Sequence, residues 1–216
     1  MKKILIFGAN GKVGRILTQK LKESSGFVPK AALRKEDQVA FFRDKGIDCE
    51  VVSLEDSVQR LSEVIEGMDA IVFTAGSGGK TGDDMTLAID LDGAVKTMEA
   101  AEELGVKRFV MVSAINADNR SKWKASGING YYIAKHYADR ALKESGLDYT
   151  ILRPGLLLDE PGRGQLNVSD PESTASVARE DVASLILEIL DKNNTIGKTI
   201  TFNQGDTPIE EVVKNI

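Results

Sequence analysis

Short apolar runs alternate with amphipathic stretches along the whole chain. The apolar runs, rich in β-branched and aliphatic residues and bounded by turn formers, predict strands at Lys3–Phe7, Val28–Leu33, Cys49–Val52, Ala70–Phe73, Arg108–Val112, Thr150–Leu152 and Lys198–Phe202. Their lack of a polar face is what strands covered by helices on both sides require. Between them, apolar positions recur at helical spacing: Val13, Ile16, Leu17 and Leu21, then Val95, Met98 and Leu104, then Val182, Leu185, Ile186 and Ile189. Gly26, Gly67, Gly105 and Gly146 punctuate the boundaries. Strands alternating with helices predict an α/β class with a doubly wound, mainly parallel sheet of roughly seven strands. Two glycine-rich stretches, Gly76–Gly82 and Asp159–Gly164, read as irregular surface segments beside a ligand.

Composition narrows the partners. The 216 residues suit one well-buried core, and no linker or repeat divides them, so 1–216 is read as a single domain, with the segment after about 155 contributing to a substrate cleft. A net charge of -5 and a pI near 5.1 give a phosphate backbone little to attract, so no direct nucleic-acid partner is expected. One cysteine, Cys49, and one histidine, His136, cannot build a zinc cluster, and no metal site is expected. Met1-Lys2-Lys3 runs straight into a short strand pattern, and no apolar run reaches membrane-spanning length. A cytoplasmic location, no membrane partner and a small-molecule substrate are the expectations; monomer and homo-oligomer stay equally open.

The strongest chemical signal is Gly8-Ala9-Asn10-Gly11-Lys12-Val13-Gly14, lying between the first predicted strand and the first predicted helix. Glycines at 8, 11 and 14 suit a sharp bend, a close backbone approach to a diphosphate, and tight helix–strand packing, with free amides at the helix start facing the anion. This is a dinucleotide turn, with Asn10, Lys12 and Val13 beside the glycines. It is not a P-loop, because no Gly-Lys-Ser/Thr follows at the required spacing. The second strand usually ends on a carboxylate that accepts from the adenosine ribose. Here it ends on Leu33-Arg34-Lys35, and the two cations favour a ribose 2′-phosphate, hence NADP in preference to NAD.

Tyr131 and Lys135 are four residues apart at the start of a helical pattern and so share one face. An ammonium beside a phenol favours the phenolate, which lowers the tyrosine's pKa and readies it to exchange a proton with a carbonyl or alcohol while hydride moves to or from nicotinamide. Tyr132 is the competing register. His136 points off that face and is read as surface, and Trp123 is read as packing under a long loop.

These residues, together with Thr74–Gly78, Asp90–Ala94, Phe109–Ser113 and Gly146–Gly155, resemble the short-chain dehydrogenase/reductase superfamily. The resemblance is to its atypical members, NmrA-like or epimerase/dehydratase-like, with an NAD(P)-binding Rossmann fold. It covers nearly the whole chain. It implies that Ala75, Gly76 and Ser77 approach the adenosine ribose, that Ser53 and Leu54 lie at the adenine, and that Lys135 holds the nicotinamide ribose. It further implies that Pro154, Gly155 and Leu156 pass the carboxamide and that Ser113 orients the reacting oxygen, with Tyr131 as acid/base. The pattern departs at Asp90, where extended members place asparagine, and at Ala114, where a second hydroxyl residue is usual. The implied activity is hydride transfer to or from a small carbonyl, quinone or related substrate. A non-catalytic NADP(H)-responsive regulator and a sugar-nucleotide epimerase/dehydratase are the alternatives.

Overall fold

The computed structural model describes residues 1–79, 81–124, 127–169 and 176–216. Strands β1 (Lys2–Phe7), β2 (Phe27–Leu33), β3 (Asp48–Val51), β4 (Ala70–Phe73), β5 (Arg108–Val112) and β6 (Asp148–Pro154) form the body of one sheet. Short strands β7 (Leu156–Leu158), β8 (Gln165–Asn167) and β9 (Ser176–Ala178) follow, then β10 (Lys198–Gln204) and β11 (Thr207–Pro208). The main sheet runs β11-β8-β10-β6-β5-β4-β1-β2-β3. From β3 to β10 every pairing is parallel; β8 and β11 add an antiparallel edge. The strand order reverses direction at β1, between β2 and β4, and that reversal opens a crevice at the carboxyl edge where ligands of such sheets bind.

All seven predicted strands form, three at the length of their apolar runs and four extended beyond them by one to four residues. The strands the periodicity missed are β7, β8, β9 and β11, each of two or three residues. Strands that short carry no readable alternation. The paired β7 and β9 stand apart as a second small sheet.

Helices cover both faces. On one side α1 (Lys12–Glu23), α2 (Val39–Arg43), α8 (Arg179–Ile189) and α9 (Ile209–Lys214) pack over Ile4, Ile6, Val72, Val110, Leu152 and Phe202. On the other, α3 (Val58–Ile65), α5 (Ala94–Glu103) and α7 (Asn129–Glu144) pack over Leu5, Phe7, Ile71, Phe73, Phe109 and Ile151. Alternate residues of each central strand thus serve opposite cores, which is why the runs read as continuously apolar. Two short helices, α4 (Asp83–Thr86) and α6 (Arg120–Trp123), lie in the loops after β4 and β5. Between α4 and α5 the backbone widens into a π-helical segment, Leu87–Gly93, a distortion often found at functional sites.

The Arg108 guanidinium holds the far end of α8. It donates to Ile189 O at 2.9 Å, to Asp148 O at 2.9 Å and to Thr150 Oγ1 at 2.8 Å. Burial among these neutral acceptors lowers its pKa to about 10, still high enough to keep it charged against the negative helix end.

Candidate functional site

The glycine turn is built by backbone crowding. Gly8 has φ +82, and a Cβ there would stand 2.5 Å from the Ala75 amide nitrogen; one on Gly14 would stand 2.3 Å from Gly8 O. Only bare backbone lets α1 sit this close to the ends of β1 and β4. Gly11 donates to Gly8 O at 2.9 Å and caps α1 without any side-chain hydrogen bond. The amides of Lys12, Val13 and Gly14 therefore have no acceptor from their own helix and form the positive end of its dipole. A diphosphate fits this cradle.

Beside the turn lies a cleft of about 290 Å³. Its walls take in Gly8, Asn10 and Gly11 from the turn, Arg34 from the end of β2, Leu54, and Ala75, Gly76 and Ser77 from the loop after β4. Lys35 and Ser53 are expected there, yet neither lines it. Ser53 spends its hydroxyl on the Glu55 amide at 3.1 Å, and its own amide donates to Asp56 at 2.8 Å, so a local turn consumes it. Gln38, which sequence reasoning passed over, does line the cleft and accepts from the Arg34 and Lys35 amides at 3.2 and 3.3 Å. Arg34 is exposed at the rim and forms no ion pair among the described residues. Asn10 accepts from Arg15 at 2.6 Å, and Lys12 pairs with Asp159, which also binds Arg179 at 2.7 Å.

At the ends of β5 and β6 a second cluster is buried under α7. Lys135 Nζ stands 3.0 Å from Asp90 Oδ1, with the two side chains 4% and 1% exposed, and donates to Val112 O at 3.3 Å. Asp90 comes from the π-helical segment, and its other oxygen accepts from the Ser77 amide at 2.8 Å. Lys135 Nζ also lies 5.7 Å from the centre of the Tyr131 ring, and Tyr132 sits edge-on to that ring at 5.6 Å. It is therefore Tyr131, of the two registers, that faces the ammonium.

The electrostatics reverse one sequence expectation. Burial of the phenol pushes the Tyr131 pKa up; Lys135 pulls it down, but Asp90, Tyr132 and Asp139 add to the upward push, and the net direction is upward. The phenol is stabilised, not the phenolate, chiefly because it is withdrawn from water, and the Asp90 carboxylate offsets part of the ammonium's opposing pull. Burial alone would drive Lys135 toward neutrality, but Asp90, together with Tyr131 and Asp139, outweighs it and holds the lysine charged.

Ser113 ends β5 with its amide donating to Leu152 O at 2.7 Å. Its buried hydroxyl lies against the Asp139 carboxylate without an aligned hydrogen bond among the described residues. Asp139, one helical turn after Lys135, is 2.9 Å from Arg153 Nε, and Arg153 also reaches Asp118. Neither Asp139 nor Arg153 stood out from sequence; the signal available was a third polar residue, Asp139, at four-residue spacing on the Tyr131–Lys135 face. Pro154, Gly155 and Leu156 close the end of β6: Pro154 O accepts from the Ile115 amide at 2.9 Å, the Gly155 amide donates to Phe202 O at 3.2 Å, and Leu156 is exposed. His136 proves half-buried instead of free at the surface, with Nδ1 2.9 Å from Ala117 O and its ring edge-on to Trp123. Among the described residues no group of acidic, His or Cys side chains could hold a metal ion, and no helix is long and apolar enough to cross a membrane.

A crossover sheet, a glycine cradle at its switch point and a lysine-bearing helix beside the next crevice define an NAD(P)-binding Rossmann protein of the atypical short-chain dehydrogenase/reductase kind. The sequence profile described as NAD(P)H-binding matches residues 8–193, so the chain belongs to that family. It is 43% identical over 214 residues to the "Uncharacterized sugar epimerase YhfK" of Bacillus subtilis, spanning 99% of this chain and 100% of that one. A solved Bacillus halodurans structure bearing the name of an NAD-dependent epimerase/dehydratase superposes with TM-score 0.93 at 43% identity, covering 100% of both chains. The Lactococcus lactis oxidoreductase ylbE matches with TM-score 0.87 at 35% identity, covering 99% of this chain and 96% of that one.

Proposed function

We propose that this protein binds NADP(H) in preference to NAD(H) along the carboxyl edge of the sheet and catalyses hydride transfer involving a small carbonyl, quinone or related substrate. The observation that carries the reading is the pairing of the glycine cradle, which has no side-chain cap, with the face formed by half-buried Tyr131 and buried Lys135 at neighbouring strand ends. The α1 amides take the diphosphate, and the cleft lined by Leu54, Ala75 and Gly76 takes the adenosine. Arg34, exposed at that rim with no carboxylate partner among the described residues, takes the 2′-phosphate. Lys135 holds the nicotinamide ribose, and Pro154, Gly155 and Leu156 flank the ring. When bound there, the reduced nicotinamide supplies the hydride. Tyr131 holds the proton that the reacting oxygen gains or gives up, and Ser113 is its expected neighbour at the end of β5.

Calorimetric titration with NADPH and NADH, followed by a panel of carbonyl, quinone and flavin acceptors, tests this reading. NADPH should bind more tightly than NADH, and Arg34→Ala should weaken NADPH more than NADH. Tyr131→Phe should abolish carbonyl turnover and spare NADPH affinity. Binding of neither nucleotide to folded protein would sink the reading, and unchanged turnover in Tyr131→Phe would remove the tyrosine from it. The names of the Bacillus relatives favour a second reading, epimerisation of a sugar through transient oxidation. That reading needs Tyr131 to accept a proton first.

A further inference from the structure

We infer that Asp90 is a positioning residue that draws the Lys135 ammonium away from Tyr131 and so makes the site a proton donor, built for carbonyl reduction and poorly suited to begin with alcohol oxidation. The inference rests on the hydride-transfer reading above and adds a direction to it.

The geometry is specific. Asp90 and Lys135 are almost wholly excluded from water and stand 3.0 Å apart, so their mutual attraction is little screened. Asp90 cannot swing aside cheaply: its second oxygen holds the Ser77 amide at 2.8 Å, and Gly76 packs so closely that a Cβ there would lie 3.0 Å from Oδ1. The π-helical widening from Leu87 to Gly93 is what delivers residue 90 to this spot. Lys135 is further held by Val112 O at 3.3 Å. The ammonium is thus committed to two oxygens, while the phenol ring centre stands 5.7 Å away. The charged and titratable groups acting on Tyr131 are Lys135 and Asp139 from its own helix, Asp90 from the π-helical segment, and Tyr132. Of these only Lys135 favours the phenolate, and Asp90 offsets it.

A phenol held neutral can give a proton but is slow to take one. In reduction, the electron pair of the carbonyl π bond moves onto oxygen as the carbon receives hydride, with its two electrons, from the reduced nicotinamide nucleotide. That oxygen takes the Tyr131 proton, and the phenolate regains one from water. Beginning in the opposite sense requires Tyr131 to be ionised beforehand, the state this cluster disfavours. Asn at position 90 would keep the shape and the Ser77 contact without the charge, leaving Lys135 free to act on the phenol.

The test reads the tyrosine directly, on the protein without nucleotide. Near-ultraviolet tyrosinate absorbance is followed against pH for the wild type and for Tyr131→Phe, and their difference isolates Tyr131 among the four tyrosines. The wild-type midpoint should lie above the ordinary tyrosine value of about 10, or beyond the alkaline unfolding of the protein. Asp90→Asn should bring it down by about one to three pH units, the usual effect of a newly unopposed neighbouring charge. In turnover, the basic limb of the reduction profile should move down by the same amount, and at neutral pH the ratio of kcat for oxidation to kcat for reduction, both at saturating substrate, should rise roughly tenfold or more, the two kcat/KM values staying tied by the overall equilibrium. A wild-type Tyr131 that ionises at or below the ordinary value overturns the inference, as does an unmoved midpoint in Asp90→Asn. Should Asp90→Asn not fold, the wild type still decides: a neutral-pH kcat for oxidation as large as that for reduction, each at saturating substrate and nucleotide, rejects it. Because the titration uses no nucleotide, its failure is distinct from failure of the hydride-transfer reading, which shows as absent binding.

Discussion

Replacing Gly14 by alanine isolates what the glycine turn does. The residue is buried in the first turn of α1, and an added methyl would stand 2.3 Å from Gly8 O, 2.7 Å from Ala9 Cα and 2.8 Å from Ala9 O. Ordinary heavy-atom contacts of carbon are about 3.5 Å, so the helix start must retreat from the turn by roughly 1 Å. Overpacking of this size costs about 1–3 kcal/mol, and alanine's better helix propensity returns about 1 kcal/mol. The net loss of stability is therefore small, about 0–2 kcal/mol by the same two terms. Binding suffers more. A 1 Å shift takes the α1 amides out of reach of a diphosphate, and a charge-assisted hydrogen bond is worth about 1.5–3 kcal/mol, which is roughly ten- to a hundredfold in affinity. At Gly11 the corresponding methyl would lie 3.1 Å from Gly8 O, so Gly11→Ala should do much less. Calorimetry with NADPH and NADH, beside urea denaturation of each variant, separates the two effects. NADPH affinity within about threefold of wild type in a folded Gly14→Ala protein would refute the reasoning.

Removing Arg153 strands the buried Asp139 carboxylate, and Arg153→Met should cost about 3–5 kcal/mol in urea denaturation; Asp139→Asn in the same chain should restore most of it, and a single-variant loss below about 1 kcal/mol would contradict the pairing. The Gly162 amide at 3.0 Å and Lys20 at 3.3 Å hold the Glu180 carboxyl below its ordinary range. Its folded pKa being lower than its unfolded one, the stability it adds is present above the ordinary glutamate value of about 4.3 and is lost as pH falls through the folded value. Glu180→Gln should therefore melt lower at neutral pH and show a shallower acid decline, and parallel acid limbs for the two proteins would argue against it.

The parts of the fold written in one place along the chain were legible from sequence. A doubly covered strand such as Ala70–Phe73 announces itself because both its faces are buried, Ile71 and Phe73 in one core and Ala70 and Val72 in the other. The glycine turn was legible for a related reason: Gly8 and Gly14 answer to backbone geometry that no other residue satisfies, so spacing alone exposes them. The edge was not. Strands β8 and β11 exist because Leu166 finds Gln204 on one side and Thr207 on the other, and such pairings leave no period in the sequence.

The chemistry of the site divides along the same line. Tyr131 and Lys135 are found by helical spacing, since four residues bring them to one face wherever the helix lies. Their electrostatic state is not, because it depends on a carboxylate delivered from another element by a local widening of the helix, and on the burial that makes its charge count. Asp90 is visible in the sequence only as a departure from the asparagine that extended members of the superfamily place there. Packed against Lys135, the departure acquires a physical meaning: one nitrogen replaced by an oxygen turns a hydrogen-bonding neighbour into a counter-ion. The same exchange moves the tyrosine from a group poised to accept a proton to one that holds it until hydride arrives.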